Sequence, residues 1–475
     1  MSKRIPLLEE VLKYQKEKNL ILSMPGNKSG IGFLRDDIGK EFVNNMGFLD
    51  ITEVDPLDNL HCPEGIIKEA QDLLAKTYGS KKAYFVVNGS TAGNLASIFD
   101  AFNEGYEVLV ERNCHKSIYN GLILRKLKVR YIEPVIHENK GLFLPPTEKE
   151  IYKALEGCNN PKGIILTYPN YFGIGYKVFD ILRKLKEKGL TIIIDGAHGA
   201  HYGISGKLPK SIVKYADYIV LSAHKTLPSL TQGSYLLVNN DNNIDFYLKS
   251  FMTTSPSYLI MSSLDYSRYY LDIYGEEDYD RLIDLANKWS VKINKLNKVS
   301  VLKEEDLPMG YNLDLSRYIF TLPKGYSGHK LLDYLRSMKI QCEMSFDGGV
   351  VLILSPFNNE EDFEKIYNSI NKLNLSSLRD NQYQNYYNII PKKVLEPYEV
   401  FDKSFEYVDI DESIGKISKE ALIPYPPGIP LICGGEIISI EVIEIIKGYI
   451  KNNKSVIGLY NNLINKKTFD FLIIL

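Results

Sequence analysis

Thr191-Ile192-Ile193-Ile194-Asp195-Gly196-Ala197-His198-Gly199-Ala200-His201 is the stretch on which the fold turns. Four consecutive β-branched residues suit a short buried strand, and Asp195 closes it. A carboxylate at the carboxyl end of a buried strand lies where open α/β sheets place their ligands. The glycines and alanines that follow let a flat molecule approach the backbone. Asp195 read alone also fits a helix cap or a metal ligand, with His198 and His201 three residues apart beside it. No further His, Cys or Glu cluster lies near them in the sequence, so no metal is expected.

Short apolar runs flank this stretch: Ala83–Val87, Glu107–Glu111, Val129–Pro134, Gly163–Tyr168, Tyr218–Ser222 and Tyr235–Val238. Separated by amphipathic stretches, they predict crossover units and a mostly parallel sheet, an α/β fold. The major domain is expected over 56–295, behind an N-terminal arm, 1–55. Helical periodicity covers Tyr258–Ile273 and Asp278–Leu296. A second alternation predicts a smaller α+β C-terminal domain over 296–475: Tyr318–Leu322 and Val350–Leu354 as strands, Gly328–Met338 and Glu360–Leu373 as helices. A linker is expected at about 376–395, and Pro424–Pro430 excludes a helix or central strand.

Three other places complete the Asp195 reading. Asn88-Gly89-Ser90-Thr91-Ala92-Gly93-Asn94 sits at a strand-to-helix turn, where backbone N–H groups and the helix dipole favour an anion. It is neither a Walker loop nor a GxGxxG turn. Lys225 follows the run ending at Leu221, in Ser222-Ala223-His224-Lys225-Thr226, and a desolvated lysine among polar neighbours is a nucleophile for carbonyls. His115 follows the run ending at Glu111, and an imidazole can stack on a flat ring. An amine for an aldehyde, an anion cradle, a carboxylate for a ring nitrogen and a stacking group are what pyridoxal 5′-phosphate (PLP) requires.

Composition agrees with a globular enzyme: 475 residues, 44% apolar and 24% charged, with a formal net charge of −2. That balance gives no long-range reason to expect nucleic acid or an anionic membrane as partner. No signal-peptide core or spanning stretch is read, and five scattered cysteines form no CxxC pair, so a reducing cytoplasm is expected.

The Asp195–His201 and Ser222–Gly233 stretches resemble the Orn/Lys/Arg decarboxylase family, with further matches at Met24-Pro25-Gly26, Asp58–His61, Asn88–Asn94, Arg112–Ser117, Thr253–Tyr258, Pro424–Pro430 and Gly435-Glu436. The length resembles the short bacterial form. The resemblance implies a PLP-dependent transferase-like fold of the aspartate aminotransferase type, with Lys225 as the Schiff-base lysine, Asp195 at the pyridine nitrogen and His115 on the ring. It implies Gly89, Ser90, Thr91, Asn94, Ser222 and His224 around the phosphate, and Ala197 and His198 against the cofactor. It further implies a homodimer in which the partner subunit's Ser255 reaches the site. The chain departs from the family at Asn27, where histidine is usual, at Gly196, where an acid is usual, and at Gly434, where proline is usual.

The reaction implied is α-decarboxylation of a basic amino acid, arginine to agmatine first and lysine or ornithine next, in polyamine biosynthesis. Asp195, Lys225, His115 and His224 carry the chemistry, His224 or Lys225 returns a proton to Cα, and Glu436 is a candidate for the substrate tail. Rival readings are another PLP reaction on the same fold, such as transamination, and a non-catalytic regulatory homologue. An aminotransferase would carry a C-terminal-domain arginine for the substrate carboxylate, and only Arg317 and Arg336 are on offer.

Overall fold

The computed structural model describes all residues except 1–4, 138–139, 381–388, 426–429, 452–454, 462–468 and 475. Most of the Asn/Tyr-rich part of the expected linker and the centre of the Pro424–Pro430 stretch therefore lie outside the described residues. Seven strands make the central sheet: β1 (Lys82–Val86), β2 (Glu107–Glu111), β3 (Lys128–Ile132), β4 (Pro161–Thr167), β5 (Thr191–Asp195), β6 (Tyr218–Leu221) and β7 (Ser234–Val238). Their order is β1-β7-β6-β5-β4-β2-β3. The pairs β6–β5, β5–β4, β4–β2 and β2–β3 are parallel.

The one antiparallel strand is β7, on both its sides. Its cause is local, because the link from β6 holds only the single helical turn Ala223–Thr226. A right-handed crossover needs a longer connection, so the chain turns back instead. Ile192, Ile193 and Ile194 of β5 are wholly buried, as expected of a strand covered on both faces.

Helix α1 (Gly89–Ala101) follows β1, and α2 (Lys116–Leu124) follows β2. Helix α3 (Tyr258–Tyr270) runs through a π-helical turn, Leu271–Gly275, into α4 (Glu276–Asn294). Beyond it, β8 (Ser300–Val301), β9 (Arg317–Thr321), β10 (Met344–Phe346) and β11 (Gly349–Ile353) form a sheet in the order β8-β9-β11-β10. Helices α5 (Gly328–Ser337) and α6 (Glu360–Lys372) accompany it.

One face of this small sheet joins the main core through Tyr318 and Phe320, while Ile319 and Val351 belong to a second core. A third core, around Leu422, Ile432, Ile438, Val442 and Ile446, belongs to the last hundred residues. The short strand Ile423–Tyr425 lies there in a two-stranded ladder with Ser455–Ile457, where Pro424 interrupts no central strand.

The N-terminal segment crosses between units. Leu20–Leu22 pairs in parallel with Ile340–Cys342 beside the small sheet, and the chain then passes over the end of β6. Ahead of it, the helix Pro6–Lys16 buries none of its residues. Among the described residues no helix is long and apolar enough to cross a membrane.

Candidate active site

β1, β2, β5 and β6 bring the sequence-predicted groups to one edge of the sheet. At the start of α1, Gly89 takes φ of +77°, the left-handed region where a residue without Cβ is unstrained. Ser222 and Ser90 hydroxyls meet at 2.6 Å, and Ser90 donates to Ser234 at 3.1 Å. Three hydroxyls from β1, β6 and β7 thus converge on the N-terminus of a 13-residue helix, a seat for an anion. Thr91 is exposed beside them.

Asp195 is almost fully buried, and its fixed orientation comes from two donors. Asn94 Nδ2 donates to Oδ2 at 3.1 Å and the Ala197 N–H to Oδ1 at 3.2 Å. Asn94 also donates to Ser117 Oγ at 2.9 Å, which in turn lies 2.8 Å from His115 Nδ1. The Ser117 N–H donates to the same nitrogen, so Nδ1 is an acceptor and the ring is pinned as the cap of α2. His115 is otherwise exposed at the sheet edge, its ring available for stacking. Beneath Asp195, the buried Glu111 accepts from the Thr167 N–H at 2.9 Å. Desolvation, reinforced by the nearby Asp195, pushes its carboxyl up to about 7.

Lys225 rides on the turn after β6 with its Nζ 3.2 Å from His198 Nε2. Burial lowers its pKa, Arg317 pushes in the same direction, and Asp195 and Glu343 oppose. Burial also holds His198 well below the usual histidine range, so its ring is neutral beside the lysine. His224 Nδ1 donates to the Gly233 carbonyl at 2.9 Å, and desolvation lowers its pKa to about 4. Its ring is therefore neutral at physiological pH, with Nε2 left as the second polar atom.

The far wall comes from the small sheet. Arg317, 1% exposed, opens β9 and donates to the His198 carbonyl at 3.3 Å. Its Nε has no partner, and no ion pair compensates the guanidinium among the described residues. Glu343, between Cys342 and β10, accepts from the Met24 N–H at 2.9 Å and from the Tyr171 hydroxyl. Tyr171 lies 4.9 Å from the His198 ring. No local motif marks Glu343, which sequence reasoning missed.

Covering the lysine turn is Met24-Pro25-Gly26-Asn27. The Gly26 N–H donates to the His224 carbonyl at 2.7 Å, and a Cβ on Gly26 would lie 2.6 Å from the Thr226 carbonyl carbon. Asn27 donates to the Ser229 carbonyl at 2.8 Å and accepts from the Gly30 N–H. At Gly196 a Cβ would meet the Cδ2 of Leu221 at 2.8 Å, so a side chain there must shift the Leu221 side chain.

Two predicted residues stand elsewhere. Glu436 is fully buried in a two-pronged ion pair with Arg112, at 2.5 and 2.7 Å, which corrects its assignment to the substrate tail. Its lone pairs are spent on Arg112 and the Cys433 N–H. Ser255, expected to act in the partner subunit's site, is exposed and outside this chain's own hydroxyl cluster; Thr253, two residues before it, is tied to Asn88. His201 pairs with buried Asp314 at 2.8 Å and stacks on Tyr279, apart from His198.

The sheet order and the lysine at the end of β6 define a PLP-dependent enzyme of the aspartate aminotransferase fold type. The hydroxyl seat, the strand-end carboxylate, the open imidazole and the neutral-leaning amine fit that cofactor. Residues 5–310 match the family described as Orn/Lys/Arg decarboxylase, major domain, and 379–460 match its C-terminal domain. This chain belongs to the Orn/Lys/Arg decarboxylase family and is a PLP-dependent amino-acid decarboxylase. It is 33% identical to Bacillus subtilis YaaO, an uncharacterized protein, over 92% of this chain and 93% of that one. It is 29% identical to the arginine decarboxylase of Bacillus subtilis, over 93% and 92%. The lysine decarboxylase LdcF of Francisella novicida shares the fold with a TM-score of 0.79 at 19% identity, over 99% of this chain and 81% of that one.

Proposed function

We propose that the chain removes the α-carboxyl of a basic amino acid, L-arginine first, and releases agmatine for polyamine synthesis. PLP, when bound, supplies an aldehyde for the amine and a ring that accepts the electrons left by CO₂. Lys225 holds it, Ser90, Thr91, Ser222 and His224 receive its phosphate, Asp195 keeps its ring nitrogen protonated, and His115 covers its face. Ala197 and His198 lie against it.

The observation that carries the substrate reading is Glu343. Besides Asp195, which is committed to Asn94 and Ala197, it is the carboxylate whose charge acts on Lys225. Held on its two oxygens by Tyr171 and Met24, it presents its remaining lone pairs to the tail of a substrate, and a carboxylate matches a guanidinium two bonds at a time. Arg317, buried and in no ion pair among the described residues, with Asp314 near it but bound to His201, receives the substrate's carboxylate side. After CO₂ leaves, Lys225 Nζ or His198 Nε2 returns the proton to Cα. The 29% likeness to an arginine decarboxylase supports arginine over lysine and ornithine.

Arg317 also favours a second reading, transamination, because a small-domain arginine is what that reaction uses. CO₂ release measured against keto-acid formation separates the two. The test of the whole reading is Lys225→Ala assayed with arginine, lysine and ornithine. The wild type is expected to show a cofactor band near the visible edge and release CO₂ fastest from arginine, and the variant to lose both. Full activity in the variant overturns it. The active form is a homodimer, and the five free thiols suit a reducing cytoplasm.

A further inference from the structure

Arg112 leaves β2 three residues before His115 and points away from the site, into the C-terminal unit. Its Nη1 and Nη2 lie on Glu436 Oε1 and Oε2, and Nη2 also reaches the Leu431 carbonyl at 3.3 Å. Side-chain exposure is 2% for Arg112 and zero for Glu436. Arg112 Nε has no partner, so compensation of this buried cation falls to Glu436, one carbonyl and the face of the Tyr131 ring, whose centroid lies 4.7 Å from the guanidinium carbon. A fork-on-fork pair fixes orientation as well as distance.

The backbone at the same residue is clamped from the other side. The Tyr119 hydroxyl donates to the Arg112 carbonyl at 2.6 Å, and the Arg112 N–H donates to the Ile132 carbonyl. The Cys114 N–H returns to the Glu111 carbonyl, and His115 follows as the cap of α2. From His115 the hydrogen bonds run through Ser117 and Asn94 to Asp195. The chain of contacts from Glu436 to the two groups that hold the ring is therefore continuous.

We propose that Glu436 is a positioning residue: through Arg112 it sets the turn that aims the His115 ring, and so couples the C-terminal unit to the cofactor. The proposal rests on the reading of His115 as the stacking group. It is independent of which amino acid reacts.

The experiment uses the holoenzyme of Glu436→Gln, which keeps the shape and removes the charge. Visible-region circular dichroism of the bound cofactor, with no substrate present, reports the seating of the ring. The band is expected to change in amplitude, and kcat to fall about 10–100-fold with KM within about twofold, the size of effect a small misplacement has on a reacting geometry. A folded Glu436→Gln protein with unchanged dichroism and kcat overturns the proposal. If that variant fails to fold, the apolar pair Arg112→Met/Glu436→Leu replaces it, since such pairs often restore stability to a broken buried ion pair. Restored melting with altered dichroism and low kcat upholds the positioning role, and restored melting with wild-type dichroism and kcat reduces the ion pair to glue. Should the pair also fail to fold, Tyr119→Phe, which loosens the same carbonyl from the other side, decides by the same readouts. Failure of the PLP reading is seen separately, as absence of the cofactor band from the unaltered protein.

Discussion

At the scale of single residues, the buried carboxyl of Glu111 yields a stability prediction with a definite sign. Its folded pKa of about 7 stands above the ordinary 4.5. Between those pH values the folded chain keeps a proton that the unfolded chain has lost, so this group's contribution falls as pH rises from 4.5 to 7 and then stays low. Glu111→Gln, which still accepts from Thr167, is expected to be more stable than wild type above pH 7, by up to about 3 kcal/mol, and equally stable below pH 4.5. Melting curves at pH 4 and pH 8 check it. Glu343→Gln leaves the lysine turn intact and weakens the grip on a cationic tail; KM for arginine is expected to rise about 10–100-fold, the equivalent of about 1.5–3 kcal/mol for a charged hydrogen bond. An unchanged KM in steady-state CO₂ release removes Glu343 from the tail pocket.

At the scale of elements, the packing of the N-terminal crossing on the lysine turn makes Gly26 sensitive. Gly26→Ala puts a Cβ against backbone atoms of Thr226 and Leu227 at 2.6 to 2.7 Å, and backbone cannot rotate away. The crossing must lift, so CO₂ release is expected to fall at least about tenfold while far-ultraviolet dichroism stays unchanged. Elements with their own periodicity were legible in the sequence: β5 from its β-branched run, α5 and α6 from their apolar stripes. The strand-end places of Asp195 and Lys225 were legible for the same reason, since the first closes an apolar run and the second follows one by four residues. What depended on the length of a connection or on distant partners was not. The reversal of β7 follows from the short link after β6, which the apolar pattern alone does not encode. Glu343 meets Met24 and Tyr171 from remote segments, with no spacing rule to betray it. Glu436 was misassigned because an acidic residue in a motif does not disclose the Arg112 that neutralises it.

At the scale of the whole molecule, the helix Pro6–Lys16 stands out for what it leaves uncovered: Leu7 is 79% exposed, and Leu8, Val11 and Leu12 are each at least half exposed. Ile38 and Phe48, further along the chain, are also exposed, and so much bare apolar surface is more than a lone subunit usually shows to water. Sedimentation is expected to give a particle of two chain masses at micromolar concentration. Leu7→Glu/Val11→Glu, a substitution of two residues one helical turn apart, is expected to shift it toward one chain mass and depress CO₂ release. A wild type that sediments as a fully active single chain refutes the homodimer.

The strand Leu20–Leu22 has a temporal meaning. Its partner Ile340–Cys342 leaves the ribosome long after it, and Met24 waits for a residue 319 positions further on, Glu343. During synthesis the central sheet can form in sequence and Gly26 and Asn27 can settle on the turn at His224 and Ser229, while Leu20–Leu22 still lacks its partner strand. The seat of Lys225 then lacks the wall that Arg317 and Glu343 supply until the small unit appears.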